Sequence, residues 1–221
     1  MNVLVIDIGG TNIKILASGQ PERIKIPSGS DFTPAQLVSL VKEAAATAKW
    51  TYDAISIGFP GVVKQGQIIA DPVNLGIGWK GFDFQSEFGC PVKLINDAAM
   101  QALGSYKGGK LLFMGFGTGL GTAMIFDQHI LPLEGGHLPF RDSSFETYVG
   151  NASLTQIGKK QWKELVYETI ERFRNCFQPD EIVLGGGNSK YLDELPANCR
   201  LGSNKNAFTG GFRLWESEYI R

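Results

Sequence analysis

Val3-Leu4-Val5-Ile6-Asp7-Ile8-Gly9-Gly10-Thr11 decides the fold once it is set beside Lys110-Leu111-Leu112-Phe113-Met114-Gly115-Phe116-Gly117-Thr118. Each stretch is a continuous apolar run closed by a glycine-threonine turn, and such runs mark strands buried on both faces. After the first turn Ile13, Ile15 and Ala17 alternate with polar neighbours, Gly19-Gln20-Pro21 turns the chain, and Ile24 with Ile26 reads as a third strand. This predicts an antiparallel meander. After the second turn come Ala123 to Phe126, a turn at Asp127-Gln128, and Ile130-Leu131. From Thr11 to Thr118 the offset is 107 residues, close to half of the 221. A unit repeated at that spacing predicts two like lobes related by a pseudo-twofold axis. Their expected extents are residues 1–106 and 107–221, with Lys107-Gly108-Gly109-Lys110 as the hinge.

Between the repeats the chain alternates helices and strands. Thr33-Pro34-Ala35-Gln36 is a capping box with proline at the first helical position, and Leu37, Leu40, Val41, Ala44, Ala45 and Ala48 give that helix an apolar face. Ala54 to Ile57 reads as a buried strand ending at Gly58-Phe59-Pro60-Gly61. Val92 to Ile95 is another, ending at Asn96-Asp97, with a helix from Ala98 to Leu103 stopping at Gly104. Trp162, Leu165, Val166, Thr169, Ile170 and Phe173 share one face of a long helix, and Ile182-Val183-Leu184 runs into Gly185-Gly186-Gly187-Asn188. A last helix is expected to carry Phe212, Trp215 and Tyr219. Sheets covered by helices follow, an α/β class.

Composition narrows the function. Lys+Arg 21 against Asp+Glu 22 leaves a net charge of -1, which argues against a nucleic-acid or membrane-surface partner. Cys90, Cys176 and Cys199 are odd in number and lack metal-ligand spacing, so reduced thiols and a cytoplasmic setting are expected. No apolar run approaches the roughly 20 residues of a membrane helix, and no basic n-region or cleavage site opens the chain. Glycine is in excess, 28 residues or about 13% against a usual share of about 7%. The excess gathers in short clusters at strand ends.

Those clusters suit phosphates, because glycine lets backbone approach an anion and consecutive amides act as donors. Asp7, at a strand end, can hold a hydrated Mg²⁺. Neither turn has the GxxxxGK[ST] spacing of a P-loop. Asp97, where a strand meets a helix, can be a helix N-cap or a general base. Glu134-Gly135-Gly136-His137 combines acceptors with a donor on a flexible loop, the set that binds vicinal sugar hydroxyls, and Glu146 can join it. His129 reads as a turn residue, and Lys159, Lys160 and Lys163 as the solvated face of their helix.

Together these residues resemble the ROK family of bacterial sugar kinases and repressors, members of the actin-like ATPase superfamily. Asp7-Ile8-Gly9-Gly10-Thr11, with Asn12 and Lys14, resembles the first phosphate motif, and Gly117-Thr118-Gly119-Leu120-Gly121 the second. Phe59-Pro60-Gly61 and Asn74-Leu75 with Trp79 resemble the sugar-side loops, and Asn96-Asp97-Ala98 the motif carrying the catalytic base. Glu134-Gly-Gly-His137 resembles the E-x-G-H sugar motif, Glu146-Thr147-Tyr148 its later sugar-contacting glutamate, and Gly185-Gly186-Gly187 the adenosine-side loop. The resemblance implies two duplicated ribonuclease H-like lobes with an interlobe cleft, and a homodimer. It implies phosphoryl transfer from ATP, with Mg²⁺, to the primary hydroxyl of a hexose, glucose first. Leu138 to Ser144, where many members carry a cysteine-rich zinc motif, holds no cysteine, so no structural zinc is expected.

The compact, zinc-free form resembles the polyphosphate/ATP glucokinase branch, which leaves polyphosphate open as donor. An N-acetylhexosamine kinase also stays open. Among other classes, a sugar-responsive repressor would need a helix-turn-helix, for which the first strand at about Val3 leaves no room. A silent sugar-binding regulator would not need Asp97 and both turns. A kinase like type III pantothenate kinase gives no reason for Glu134-Gly-Gly-His137.

Overall fold

The computed structural model describes residues 1–203 and 205–216, so Tyr219 lies outside the described residues. Strands β1 (Val3–Ile8), β2 (Asn12–Ala17) and β3 (Ile24–Pro27) form the expected antiparallel meander. Every residue of β1 is buried, whereas β2 alternates between buried and half-buried positions, as the apolar run and the alternating pattern require. Helix α1 (Pro34–Thr47) begins at Thr33 with both hydrogen bonds of the capping box formed. Strand β4 (Ala54–Phe59) then lies parallel to β1. A hairpin of β5 (Val63–Lys64) and β6 (Gln67–Ile68) and the short helix α2 (Phe84–Phe88) lead to β7 (Val92–Asn96), parallel to β4. The first sheet therefore has the order β3-β2-β1-β4-β7.

Helix α3 (Asp97–Ser105) follows at once, and Asn96 rather than Asp97 is its N-cap, accepting from the Ala99 N–H at 3.1 Å. A second meander of β8 (Leu111–Phe116), β9 (Leu120–Phe126) and β10 (His129–Leu133) comes next. His129 opens β10 instead of lying in the turn, because Asp127 and Gln128 alone take the positive φ angles that reverse the chain. A 3-10 turn at Gly135–His137 and the hairpin β11 (Pro139–Phe140) and β12 (Ser143–Ser144) precede α4 (Phe145–Val149). Helix α5 (Asn151–Phe177) starts well before Trp162 and is broken at Gly158, whose φ of 78° is non-helical. Strands β13 (Glu181–Gly185) and β14 (Cys199–Leu201) complete a second sheet, ordered β10-β9-β8-β13-β14. In both sheets the central strand pairs antiparallel with the strand after it and parallel with a later one.

Helix α6 (Asn206–Arg213) leaves the edge of the second sheet and returns to the first. It crosses α3 so closely that a Cβ on Gly104 would overlap the Asn206 carbonyl, and one on Gly210 the Met100 carbonyl. Gly104 is thus inside α3 rather than its terminator: it is glycine to admit α6. The Ser56 hydroxyl on β4 donates to the Gly211 carbonyl at 2.6 Å and accepts from Trp215 Nε1 at 2.9 Å, just beyond the helix end. Val3, Val5, Met100, Leu103, Leu111, Phe113 and Phe208 share one buried cluster, so the core between the two sheets is continuous. Among the described residues no helix is long and apolar enough to cross a membrane.

Candidate active site

The site grows from the carboxyl ends of neighbouring parallel strands, where open α/β sheets bind ligands. In the first sheet Asp7 is the register partner of Gly58, and Phe59 that of Asn96. Asp7 is nearly buried, and Lys14 across the β1–β2 ladder places its ammonium 2.9 Å from the carboxylate. Beyond Asp7 the Gly9 amide donates to the Asn12 carbonyl at 3.2 Å, and a side chain at Gly9 would collide with that carbonyl. Ser28 ties the turn down, its hydroxyl donating to the Gly9 carbonyl at 2.7 Å and its amide to the Thr11 carbonyl at 3.1 Å. Gly10 and Thr11 stay exposed, and Asn74 lies against Gly10.

In the second sheet Gly115 pairs with Gly121 on one side and Gly185 on the other, which brings both glycine clusters to one end. The turn is closed by the Gly117 amide donating to the Gly119 carbonyl at 3.1 Å. Asn188 clamps the clusters together: its amide donates to the Phe116 carbonyl at 3.0 Å and its side chain to the Gly117 carbonyl at 3.3 Å. Gly186, at a φ of 80°, lies so close to the Phe116 backbone that no side chain fits. Asn151 supports the turn from α5, its amide donating to the Thr118 carbonyl at 3.1 Å. Ser28 and Asn151 have no motif in the sequence; only the folded chain brings them to the turns.

Asp97 opens α3 where that helix starts between β4 of the first sheet and β9 of the second. Gly58 makes room for this part of α3, since a Cβ there would overlap Met100 and lie 3.6 Å from the Asp97 Cα. The neighbouring Ala98 packs against Gly121 of the second sheet. Asn96 fixes the helix start from the other side, donating to the Gly61 carbonyl at 3.2 Å. Burial pushes the Asp97 carboxyl up to about 7, with further repulsion from Asp7 and Glu134, against which the Ala98 N–H donates at 2.7 Å. A carboxyl poised there can take a proton from a hydroxyl near neutral pH.

His137 stands between two carboxylates, Glu134 at 3.6 Å and Glu146 at 3.4 Å. Burial raises Glu134 above the ordinary carboxylate range, opposed by His137 and reinforced by Glu146. All three side chains keep substantial exposure and so present acceptors and a donor to solvent. Asp97 thus lies within electrostatic reach of Asp7 and Glu134, His137 stands between Glu134 and Glu146, and Gly119 of the second turn lies against Glu146. Among the described residues no group of three or more His, Cys, Asp or Glu could hold a metal unaided. One carboxylate, Asp7, beside phosphate-ready turns is the donor set that suits a hydrated Mg²⁺ carried by phosphates.

A profile described as the ROK family matches residues 3–140. Polyphosphate glucokinase from Mycobacterium leprae (strain TN) is 28% identical over 209 residues, covering 85% of this chain and 64% of that protein, so the chain spans somewhat under two thirds of its length. The solved inorganic polyphosphate/ATP-glucomannokinase from Arthrobacter sp. strain KM superposes with a TM-score of 0.82 at 26% identity, covering 95% of this chain and 96% of that one. A ROK family glucokinase from Streptomyces griseus, in complex with glucose and AMPPNP, shares the fold with a TM-score of 0.78 at 16% identity, covering 95% and 97%.

Proposed function

The chain belongs to the ROK family, and from that membership we propose that it is a sugar kinase, moving a phosphoryl group from ATP or inorganic polyphosphate to the primary hydroxyl of a hexose, glucose first. The observation that carries this reading is Asp97, a carboxyl pushed up to about 7 and set between two glycine-threonine turns and a carboxylate-histidine loop. Glu134, His137, Glu146 and Asn96 bind and orient the sugar hydroxyls, with Gly61 and Asn74 at the border. Asp97 accepts the proton of the attacking hydroxyl. Thr11, Thr118, Lys14 and the amides around Gly9, Gly10, Asn12, Gly117 and Gly119 hold the phosphates, and Gly185–Gly187 accommodates the rest of a nucleotide. Asp7 would hold a Mg²⁺ brought in with the donor phosphates, and that ion would supply charge neutralisation. Catalysis of this kind rests on positioning and electrostatics, because the transition state is loose.

The common strand order and sense of the two sheets support duplicated ribonuclease H-like lobes, 1–106 and 107–221, whose closure excludes competing water. Polyphosphate has equal standing with ATP as donor, since the M. leprae and Arthrobacter proteins both carry it in their names. An assay crossing ATP, GTP and polyphosphate with glucose, mannose, fructose, N-acetylglucosamine and N-acetylmannosamine tests the reading. Sugar phosphate from at least one pair supports it; none from any pair overturns it. An Asp97→Ala variant is expected to bind sugar yet lose about 10²–10⁴-fold in turnover. Near-parental turnover would show that Asp97 is not the base.

A further inference from the structure

We propose that Glu146 couples the two halves of the site, so that sugar binding tightens donor binding through this one side chain; the inference rests on the kinase reading above. Glu146 stands in the first turn of α4, half-exposed, and glycines from three segments lie beside it. A Cβ on Gly119, in the second phosphate turn, would overlap the Glu146 carboxylate. A Cβ on Gly136, in the sugar loop, would lie 3.4 Å from the Glu146 Cβ and collide with the Leu120 carbonyl. Gly150, which ends α4, has no room for a side chain between the Thr118 and Glu146 carbonyls. Its amide donates to the Glu146 carbonyl at 2.8 Å, and the Asn151 amide that follows donates to the Thr118 carbonyl at 3.1 Å.

Each of the two carboxylate oxygens therefore addresses a different half. One lies 3.4 Å from His137 Nε2, in the sugar loop. The other lies against Gly119, in the turn assigned to phosphate. Glycine at 119 and 136 lets the half-exposed carboxylate lie against the turn and the loop at once. A sugar hydroxyl that engages His137 and Glu146 fixes the carboxylate, and the carboxylate fixes the Gly117–Gly119 turn whose amides receive the donor. An interaction that orders a loop for a second ligand is a coupling free energy, and it must be reciprocal.

The test uses 6-deoxyglucose, which has no acceptor hydroxyl, so that intact ATP and long-chain polyphosphate serve as donor probes without transfer. Donor affinity is measured by calorimetry with and without saturating 6-deoxyglucose, and sugar affinity with and without donor. The parent protein is expected to show the same gain, about 5-fold or more, in both directions. In Glu146→Ala sugar alone is expected to bind more weakly and is supplied at a correspondingly higher saturating concentration, donor alone binds as in the parent, and the gain falls to about one. Glu146→Gln keeps the shape beside Gly119, loses the charge facing His137, and is expected to keep less than half of the gain. An undiminished gain in both variants, or no gain in a parent that binds both ligands, overturns the coupling alone. A parent that binds neither sugar nor donor overturns the kinase reading, and the coupling with it.

Discussion

Lys14 and Asp7 are direct register partners on the antiparallel β1–β2 ladder, and their side chains meet at 2.9 Å. The pair sits where the first glycine-threonine turn begins, and Asp7 is also one of the charges that raise Asp97. Lys14→Met removes a charged donor from the turn and leaves Asp7 uncompensated. A charge-assisted hydrogen bond is worth about 1.5–3 kcal/mol, so kcat/KM for the donor is expected to fall about 10–100-fold. The acid limb of the pH–rate profile is expected to move to higher pH, because an uncompensated Asp7 repels the Asp97 carboxylate more strongly. An acid limb that stays in place would separate Asp7 from the titration of Asp97.

Asp97→Asn is expected to stabilise the fold above neutral pH. A carboxyl whose folded pKa is raised to about 7 holds its proton where the unfolded chain has lost it. Its contribution to stability is therefore present below about pH 4 and is lost as pH rises through 7. Thermal melts of the parent and Asp97→Asn should diverge with rising pH, the variant melting a few degrees higher at pH 8 and level with the parent near pH 4. A variant that melts below the parent at pH 8 would contradict the burial of a charged Asp97.

Asn96→Ala removes the α3 cap, costing about 1 kcal/mol, and also the bond to the Gly61 carbonyl. Because the same residue sets where Asp97 stands, turnover should fall by more than that stability loss explains, at least tenfold in fully folded protein. Circular dichroism beside steady-state kinetics separates the two effects.

Gly210→Ala places a methyl group onto the Met100 carbonyl, a backbone atom that cannot yield without parting α6 from α3. The expected loss is about 3 kcal/mol or more, a size reserved for overpacking of this kind. Denaturant unfolding measures it, and Thr209→Ala, a half-buried neighbour whose hydroxyl bonds only back to the Lys205 carbonyl, serves as a control expected to lose under about 1 kcal/mol.

Both turns and most strands were legible in the chain because an apolar run followed by glycine is a local signal. The same held for α1, whose capping box is written in four adjacent residues. The candidate site was legible where a motif supplied consecutive residues, as at Glu134–His137. What escaped depended on distant partners. Gly104 reads as a helix end until α6 is seen to cross it, and nothing near Asn151 or Ser28 announces that each holds a glycine-threonine turn. The chain reads Asp97 as a cap; in the fold the Asn96 side chain takes that place by accepting from the Ala99 N–H, and Asp97 is the first residue inside α3.

The return of α6 to β1 bears on how the protein is made. Val5 is covered by Gly211, a residue translated some two hundred codons later. While the ribosome is still at work, the first sheet can pair its strands but keeps an apolar face open. That face is a site for chaperones and for premature association. Synthesis thus leaves this molecule unfinished until nearly its last described helix emerges, and arrest-peptide force measurements should register the decisive folding event only after residue 213 has cleared the exit tunnel.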